Sequence, residues 1–359
     1  MTHKILLAAG GTGGHMFPAQ SLAENLKAKG WDVALMTDAR GQKHSGRIPA
    51  DKIIEVQAAS ISPRKPIEAI KGIIKLAKGV TQAKAFIRHW KPDVVVGFGG
   101  YPAFPAMCAA QSMKLPTILH EQNAVLGRVN RVFAAKANHV VSGFDVLEKV
   151  SPKAKVQSLG NPMRVQIMDA VPTFYEPPTG VINLLCVGGS LGARILSRTI
   201  PKAIALLPSE LRGRIKVVQQ TTESEVKTAR TLYAEMGVEA ICETFFSDIE
   251  THLAKAHYII ARAGASSVAE IALMGKPSLL IPLAIAMDDH QTINARSLEG
   301  HGAADILPES EFTPESVANI LQDRLNDSNW LSSAAASART LGRPNAAHDL
   351  AQLVIATLK

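Results

Sequence analysis

A histidine directly follows a cluster of glycines near the start of the chain, where Gly10, Gly11, Gly13 and Gly14 precede His15. Missing side chains let a phosphate or a sugar approach the main chain, and a helix that begins there points unpaired N–H groups at the ligand. The imidazole, with an ordinary pKa near ~6.5, is suited to act as a general base at neutral pH. We therefore predict a phosphate- or sugar-binding turn with His15 as the catalytic base. The alternative is a tight connection beside a structural histidine.

Polar side chains cluster again in the segment HEQN at 120–123, which ends an apolar run and supplies Glu121 as a second, reserve base. This segment does not continue as the zinc motif HExxH, and the DDH segment at 288–290 has no further ligands at useful spacing. The three cysteines are isolated from one another, which is typical of neither a disulfide framework nor a zinc site. We predict no bound metal and no cofactor.

Three further turns rich in glycine or small residues follow apolar runs. They are GFGGYPAFPA at 97–106, GGSLGAR at 188–194 and RAGASSVAE at 262–270. In the last turn Glu270 lies inside a predicted helix, where its carboxylate could hydrogen-bond a ribose diol or simply favour the helix N-terminus. The first glycine cluster fits neither the P-loop nor the G-x-G-x-x-G pattern, so its glycines alone do not identify the ligand.

Short, nearly continuous apolar runs must position these turns, and they lie at 4–8, 33–36, 93–97, 117–120 and 139–142. They alternate with helical patterns, which is typical of parallel strands covered on both faces by helices. In such sheets ligands bind beyond the carboxyl ends of the strands. The glycine turns are therefore expected at the ligand-binding edge.

The same pattern restarts at 181–187, where another apolar run leads into a second glycine pair. A chain of 359 residues also exceeds the size at which a single core stops growing, about 250–300 residues. We predict an α/β protein with two Rossmann-like parallel-sheet domains that face a central cleft. The first domain is expected to span 1–160 and the second 161–340, with a proline-rich loop at 169–180 inside the second.

Composition narrows the class of partner. The formal net charge of +8 and a pI near 9.4 favour an anionic ligand or surface. Only 5% of residues are aromatic, which gives little support for recognition of nucleic acid by stacking, so no nucleic-acid partner is predicted. No apolar run is long enough to span a bilayer, and the start of the chain is typical of a strand and loop rather than a signal peptide.

The segment 62–80 is predicted to form a basic, amphipathic helix. One apolar stripe is enough to pack against a core, whereas a second stripe beside lysines suits an anionic lipid surface. The alternative is one broad buried face with a solvated lysine side. The two stripes and the lysines are Ile67, Ile70, Ile74 and Ala77; Ile73, Leu76 and Val80; and Lys71, Lys75 and Lys78.

In order and spacing, the motifs resemble those of the MurG family, the N-acetylglucosaminyltransferases of peptidoglycan synthesis. The resemblance covers the whole chain and implies the GT-B architecture, with 341–359 crossing back onto the first domain. It also implies transfer of N-acetylglucosamine (GlcNAc) from UDP-GlcNAc to the MurNAc 4-hydroxyl of lipid I, which gives lipid II. The motifs are GGTGGHMFPA (10–19), GFGGYPAFPA (97–106), HEQNAVLGRVNR (120–131), GNPMR (160–164), GGSLGAR (188–194), RAGASSVAEIALMGKPSLLIP (262–282) and DDHQTINA (288–295).

The resemblance assigns substrate-binding residues by motif. The main chain near Phe246 should meet the uracil, Glu270 the ribose and Gln291 the donor sugar, while 265–270 should form the diphosphate-binding turn. At His290 the sequence departs from relatives that carry a second glutamine, so no sugar contact is assigned there. The full set of donor-binding residues is Thr12, Gly13, Gly14, Asn123, Arg164, Ser190, Phe246, Ala265, Ser266, Ser267, Val268, Ala269, Glu270 and Gln291.

The resemblance further implies an inverting, metal-independent reaction, in which helix N-termini stabilise the departing diphosphate. Its partners would be UDP-GlcNAc, lipid I, an anionic membrane surface reached through 62–80, and other proteins of cell-wall synthesis. The enzyme would be peripheral on the cytoplasmic face of the plasma membrane. Two other classes stay open from the residues alone. One is an NAD(P)-dependent oxidoreductase that uses Asp38 for ribose, and the other is a non-catalytic protein that binds nucleotide sugars or nucleic acid.

Overall fold

The computed structural model describes residues 2–11, 13–42, 46–59, 66–189 and 194–358, apart from the side chains of Pro66 and Ile67. The chain divides into two compact units. Unit 1 runs to Val165 and resumes at Arg343, and unit 2 is Gln166–Gly342. The boundaries predicted from the sequence lie after 160 and after 340.

Unit 1 contains a parallel sheet that comprises, in the described part of the chain, seven strands. Its strand order is β3-β2-β1-β4-β5-β6-β7, so the direction of progression reverses between β1 and β4. The inner strands are almost wholly buried, as their continuous apolar sequences require. The strands are β1 Lys4–Ala8, β2 Asp32–Thr37, β3 Lys52–Glu55, β4 Val94–Gly97, β5 Thr117–Glu121, β6 His139–Ser142 and β7 Val156–Ser158.

Unit 2 repeats this plan with six parallel strands in its described residues, in the order β10-β9-β8-β11-β12-β13, so the reversal falls between β8 and β11. The predicted α/β class with two Rossmann-like parallel-sheet domains is confirmed. The strands are β8 Ile182–Val187, β9 Ile215–Gln220, β10 Glu239–Glu243, β11 Tyr258–Arg262, β12 Ser278–Ile281 and β13 Ala304–Ile306.

Helices connect the strands on both faces of each sheet. Within the described ranges, no helix is both long enough and apolar enough to cross a bilayer. The helices of unit 1 are α1 Gly13–Lys27, α2 Pro66–Trp90, α3 Gly100–Ser112 and α4 Arg128–Ala134, with α5 Val165–Asp169 at the boundary and α14 Ala346–Ala356 after unit 2. Those of unit 2 are α6 Arg194–Ala205, α7 Ser209–Arg212, α8 Val226–Glu235, α9 Ile249–Lys255, α10 Ala265–Met274, α11 His290–Glu299, α12 Pro314–Leu325 and α13 Ser328–Leu341.

Helix α1 begins at Gly13, whereas the sequence pattern predicted a helix near 17–29. Of the four glycines, Gly10 and Gly11 therefore precede the helix, and Gly13 and Gly14 belong to its first turn. The predicted start was too late because glycines are poor helix formers, and here they begin a helix that packing on the sheet stabilises. His15 consequently lies on the first turn of α1.

Helix α2 extends beyond the predicted 62–80, and its buried face differs from the predicted stripes; residues 60–65 lie outside the description. Ile70, Ile73 and Ile74 are 59%, 54% and 51% exposed, whereas Leu76, which was assigned to the outer stripe with Ile73, is 5% exposed. The reason is that glycines occupy the packed face. A Cβ at Gly79 would lie 2.1 Å from the Gln57 carbonyl oxygen. The buried positions are Gly72, Leu76, Gly79, Ala83, Ile87 and Trp90.

The last helix completes the core of unit 1. Leu350, Ala351 and Val354 on α14 are fully buried and belong to the same apolar cluster as Leu22 and Leu26 on α1. This cluster also covers one face of β1 and β4. The segment from Arg343 is therefore an integral layer of unit 1, although unit 2 separates it in sequence.

We expect Leu350→Ala to destabilise unit 1 selectively. The lost methyl groups and the remaining cavity should lower the free energy of unfolding by about 3 kcal/mol. In hydrogen-exchange mass spectrometry, peptides from β1 and α1 should exchange faster, while peptides from β8 and β11 should not change. Gln352→Ala, at an exposed position of the same helix, is the control. Equal effects of the two substitutions would contradict the role of α14.

Candidate active site

The glycine turn after β1 lies at the switch point of the first sheet, between β1 and β4. Gly10 is packed so closely that an added Cβ would lie 2.7 Å from Pro102 Cβ and 2.8 Å from Asp38 Oδ1. Gly11 has a φ of 86°, which side chains disfavour. Ligands of open α/β sheets bind at this position, so the first glycine turn is correctly placed for a site.

Asp38 stabilises that turn from within the protein. Its buried carboxylate accepts hydrogen bonds from the amides of Gly11 (3.3 Å) and Gly41 (2.9 Å) and from Arg40 Nε (3.3 Å). A dinucleotide-dependent dehydrogenase would need this carboxylate for the ribose of its cofactor. The arrangement therefore counts against the oxidoreductase alternative.

His15 is half-buried beside the glycine turn that begins α3. A Cβ added at Gly100, whose φ is 72°, would lie 3.4 Å from His15 Cε1. Burial lowers the pKa of His15, against smaller opposing effects of the Glu121 carboxylate and of a main-chain interaction with Gly10. The imidazole is therefore neutral at neutral pH, which is the form that a general base requires. The contact with Gly100 was not predicted, although the double glycine in GFGGYP was a signal for it.

Glu121, at the end of β5, is buried and its carboxylate is held by four donors. Oε1 accepts from the main-chain N–H and from Nδ2 of Asn123, both at 3.2 Å. Oε2 accepts from the amide of Gly127 at 2.8 Å and from Asn130 Nδ2 at 2.9 Å. This arrangement fixes the orientation of Asn123 and favours a positioning role for Glu121 over that of a base. Asn130, which sequence analysis missed, is the polar residue in the otherwise apolar, buried face of α4.

His120 lies on the same strand and is fully buried. Its Nε2 is 3.1 Å from the Gly160 carbonyl oxygen, and its Nδ1 is 3.1 Å from Gln122 Nε2. Nε2 must therefore be the protonated nitrogen, with Nδ1 accepting. Burial, with a smaller contribution from the nearby His15, lowers the pKa of His120 to about 4, so that His120 is neutral at neutral pH.

Packing brings Arg164 to the start of α1. The guanidinium carbon of Arg164 is 4.6 Å from the centre of the Phe17 ring. The same ring packs against Gly13, where an added Cβ would lie 2.9 Å from Phe17 Cε2. Gly13 and Arg164 thus pack against the same aromatic ring at the start of α1. Donor contacts by Gly13, Gly14 and Arg164 stay a prediction. Thr12 lies outside the described residues.

In unit 2 the switch point between β8 and β11 carries the second glycine turn. The amide of Gly188 donates to Gln220 Oε1 at 3.1 Å, and Gly189 has a φ of 83°. Ser190, the predicted ligand in this turn, lies outside the described residues. The turn nonetheless corresponds in topology to the one that follows β1 in unit 1.

Helix α10 begins directly after β11, beside the same switch point. Gly264 precedes it with a φ of −65° and ψ of 145°, and as a glycine it provides no side-chain cap for this end. The first amides of the helix therefore point outward with the positive end of the helix dipole, which suits a diphosphate. The predicted residues on these turns are Ala265, Ser266, Ser267, Val268, Ala269 and the half-buried Glu270.

Phe246 follows β10 at the same edge of the second sheet and is 9% exposed. Its ring meets His252 of α9 edge-on, with centroids 4.9 Å apart, while the neighbouring Phe245 is 67% exposed. The buried ring fixes the main chain of this segment, which is the part expected to meet the uracil.

Gln291 lies on the first turn of α11, beyond the carboxyl end of β12. Its Oε1 accepts from the amide of Leu283 at 3.0 Å. Asn294 Nδ2 on the same helix donates to the Ala263 carbonyl oxygen at 3.1 Å, which joins α11 to the turn before α10. His290 Nδ1 is 2.8 Å from the Met287 carbonyl oxygen, so this ring nitrogen is engaged with the main chain of its own turn.

An ion pair between Arg262 and Glu309, which the sequence did not predict, stabilises the carboxyl edge of the second sheet. Arg262, at the end of β11, is 7% exposed and donates to Glu309 Oε2 at 2.8 Å. An arginine that ends an apolar strand was a signal that some acid must pair with it, but its partner is remote in sequence. Among the described residues, no three His, Cys, Asp or Glu side chains are grouped closely enough to hold a metal ion.

Comparison with known proteins agrees with the geometry. Residues 5–142 match the glycosyltransferase family 28 N-terminal domain, and residues 183–352 match its C-terminal domain. Two parallel-sheet units, each with a glycine turn at its switch point, are the architecture of the GT-B class of glycosyltransferase. The chain belongs to glycosyltransferase family 28, and the enzyme class predicted from its motifs is confirmed.

Individual relatives extend over the whole chain. The chain is 49% identical over 98% of its length, and 96% of the relative's, to the UDP-N-acetylglucosamine--N-acetylmuramyl-(pentapeptide) pyrophosphoryl-undecaprenol N-acetylglucosamine transferase of Maricaulis maris. It is 45% identical to the transferase of the same name from Caulobacter vibrioides, with both chains fully covered. The crystal structure of Acinetobacter baumannii MurG matches with a TM-score of 0.81 and 29% identity over 99% of both chains. The resemblance to the MurG family is thus confirmed.

We expect the stability of unit 1 to fall on mild acidification because of His120. Its pKa is about 4 in the folded protein but has its ordinary value of 6.5 in the unfolded chain. The unfolded chain therefore binds more protons between these pH values, and folding should lose on the order of 3 kcal/mol as the pH falls through this window.

His120→Gln should remove most of this slope in urea unfolding between pH 6.5 and 4. His89→Gln, at an exposed position on α2, should leave it unchanged. An unaltered slope in the His120 variant would contradict the assignment.

Proposed function

We propose that the chain transfers GlcNAc from UDP-GlcNAc to the MurNAc 4-hydroxyl of lipid I, undecaprenyl-pyrophosphoryl-MurNAc-pentapeptide, and so forms lipid II for peptidoglycan. One observation carries this proposal. The described residues of the motifs gather at the carboxyl edge of the sheet in each unit, in a chain 45–49% identical to transferases named for this reaction.

Unit 2 is the proposed donor site. The outward amides at the start of α10 would receive the diphosphate, and Glu270 on the same helix would receive the ribose hydroxyls. The main chain at Phe246 would meet the uracil, and Gln291 would contact the GlcNAc. The helix dipole stabilises charge on the departing UDP without needing a cation, so we infer that the reaction is independent of metal.

Unit 1 is the proposed acceptor site, with His15 as the general base. Inverting transfer from an α-linked donor to a β-linked product is a direct displacement at the anomeric carbon. The 4-hydroxyl of MurNAc attacks, its proton passes to the neutral imidazole of His15, and the bond to the UDP oxygen breaks. Glu121 holds Asn123 through two hydrogen bonds, and Asn123 would position a sugar hydroxyl.

The decisive experiment is transfer of labelled GlcNAc from UDP-GlcNAc to a lipid I analogue, in the presence of excess EDTA. We expect full turnover with the chelator and a β-linked product by NMR. Activity that EDTA abolishes and Mg²⁺ restores would overturn metal independence, and the absence of any transfer would overturn the proposed function itself.

In the same assay we expect His15→Ala to lower kcat by about 10²-fold or more, because the attacking hydroxyl loses its proton acceptor. The affinity for UDP should change little, since the proposed uridine and diphosphate contacts at Phe246, Glu270 and the start of α10 lie in unit 2. His89→Ala, which removes an exposed histidine of α2, is the matched control. Near-normal turnover by a folded His15 variant would shift the assignment of the base to Glu121.

We further propose that α2 binds the anionic surface of the membrane that holds lipid I, on its cytoplasmic face. Three isoleucines, Ile70, Ile73 and Ile74, are more than half exposed on this helix. Lys71, Lys75 and Lys78 are also exposed beside them. Apolar side chains flanked by lysines gain both from burial in the acyl boundary and from attraction to anionic headgroups.

We expect I70S/I73S/I74S to weaken binding to phosphatidylglycerol-containing vesicles by about tenfold or more in a sedimentation assay. Wild-type binding should also fall with salt and be weak on zwitterionic vesicles. The matched control is I53S/V132S/V146S, which changes three apolar residues of unit 1 that are 43%, 62% and 63% exposed. Equal loss of binding in both triple variants would contradict the assignment to α2.

A further inference from the structure

We propose that Glu309, which lies outside every motif of the family, is a positioning residue for the donor sugar. It acts by fixing the main chain that orients Gln291, and so sets how much the GlcNAc moiety contributes to donor binding. This inference rests on the proposed function, because it takes Gln291 as the sugar contact.

Arg262 holds the segment after β12 by hydrogen bonds. One guanidinium nitrogen of Arg262, Nη1, donates to the carbonyl oxygens of Ile281 and Pro282, both at 3.3 Å, and to Glu309 Oε2 at 2.8 Å. Arg262 is 7% exposed, whereas the Glu309 side chain is 27% exposed. A buried guanidinium requires hydrogen-bond acceptors, of which Arg262 has two carbonyl oxygens besides Glu309, and charge-assisted bonds are among the stronger hydrogen bonds. The end of β12 is therefore fixed to the end of β11.

Further hydrogen bonds join this ion pair to Gln291. The same oxygen of Glu309 accepts from the amide of Ala284 at 3.4 Å, and the preceding amide, that of Leu283, donates to Gln291 Oε1 at 3.0 Å. Two adjacent amides thus bind Glu309 on one side and Gln291 on the other. Rotation of the 283–284 main chain would break both bonds together, so Glu309 controls the orientation of the Gln291 carboxamide.

The segment between β12 and α11 needs contacts with the rest of unit 2, because part of its main chain has an unfavourable conformation. Asp288 and Asp289, just before α11, have φ values of 57° and 54°, in the left-handed region that non-glycine residues rarely adopt. Between this turn and the ion pair lies Ile285, which is 87% exposed and contributes almost no packing. Hydrogen bonds, both within the segment and from Leu283 and Ala284 to Gln291 and Glu309, therefore hold it in place rather than a buried apolar side chain.

Substitution of Glu309 should weaken binding of the GlcNAc moiety but not of the nucleotide. The proposed uridine and diphosphate contacts lie on the Phe246 segment and on α10. Arg262 keeps its two carbonyl acceptors when Glu309 is changed, so the turn before α10 stays in place. A ligand with the nucleotide but without the sugar should not sense the substitution.

The test compares Kd values for UDP and UDP-GlcNAc by calorimetry on the full-length protein. We expect Glu309→Ala to weaken UDP-GlcNAc by about tenfold, the value of one well-placed hydrogen bond, and UDP by less than about twofold. Glu309→Gln keeps an oxygen that accepts from Ala284 and should restore most of the affinity for UDP-GlcNAc. If Glu309→Ala does not fold, Glu309→Asp, which is too short to reach Ala284, should show the same split.

Two comparisons separate this role from a loss of stability. Asp305→Asn removes a matched ion pair of unit 2, in which Arg324 Nε and Nη2 each lie 2.8 Å from the Asp305 carboxylate. It should leave the ratio of the Kd values for UDP and UDP-GlcNAc unchanged. E309A/Q291A should lose no more affinity for UDP-GlcNAc than Gln291→Ala alone, because the two residues act in series.

Each result decides between the roles. Equal weakening of both ligands, the same pattern in the Asp305 variant, or additive losses in the double variant would overturn the positioning role while leaving the proposed function intact. A wild-type protein that binds neither ligand would instead overturn the proposed function, and this inference with it.

Discussion

The close approach of main chains at the carboxyl edge of the first sheet is the constraint on which the site in unit 1 depends. Gly10 lies between Pro102 and Asp38, and a Cβ at Gly41 would lie 2.9 Å from Gly10 Cα. The turns after β1 and β2 and the first turn of α3 can meet at this distance only because Gly10 and Gly41 have no side chains. This contact places the first turn of α1, and with it His15, at the switch point of the sheet.

The two units share one topology but place different charged and polar groups at the carboxyl edges of their sheets. Unit 1 packs two imidazoles and a carboxylate together, and it keeps the imidazoles neutral by desolvation while four donors satisfy the charge of Glu121. Unit 2 instead presents the first amides of α10 behind a glycine N-cap, and their partial charge is independent of pH. A proton acceptor and an anion receptor therefore arise from one architecture, because the turns at the carboxyl ends of the strands differ between the units.

Sequence alone predicted the inner strands of the first sheet, β8 and β11 of the second, and both glycine turns, because strands buried on both faces are continuous apolar runs. It did not single out β9 or β12, which are inner strands of the second sheet. It gave no indication of β3 or β7, which lie at the two edges of the first sheet and are largely exposed. It also misassigned the faces of α2, because periodicity weighs apolar side chains and the packed face contains Gly72 and Gly79. The Arg262–Glu309 pair was beyond reach, since its members are 47 residues apart and only the folded sheet brings them together.

The candidate site likewise contains residues that the sequence could identify and residues that it could not. His15 was singled out because a titratable side chain follows a glycine turn, whereas Asn123, Arg164 and Gln291 were assigned through the family motifs. The residues that orient them carry no such signal. Asn130, for example, is a single polar residue in a short helix, and its role becomes visible only where its Nδ2 donates to Glu121 Oε2 at 2.9 Å.

The position of α14 has a consequence for biosynthesis. Its side chains cover the face of the sheet that α1 also covers, yet the ribosome makes all of unit 2 before it makes this helix. While unit 2 is being synthesised, the nascent first unit must expose an uncovered apolar face beside α1. Unit 2 can complete its core first, so the amino-terminal half of this enzyme acquires its final layer last.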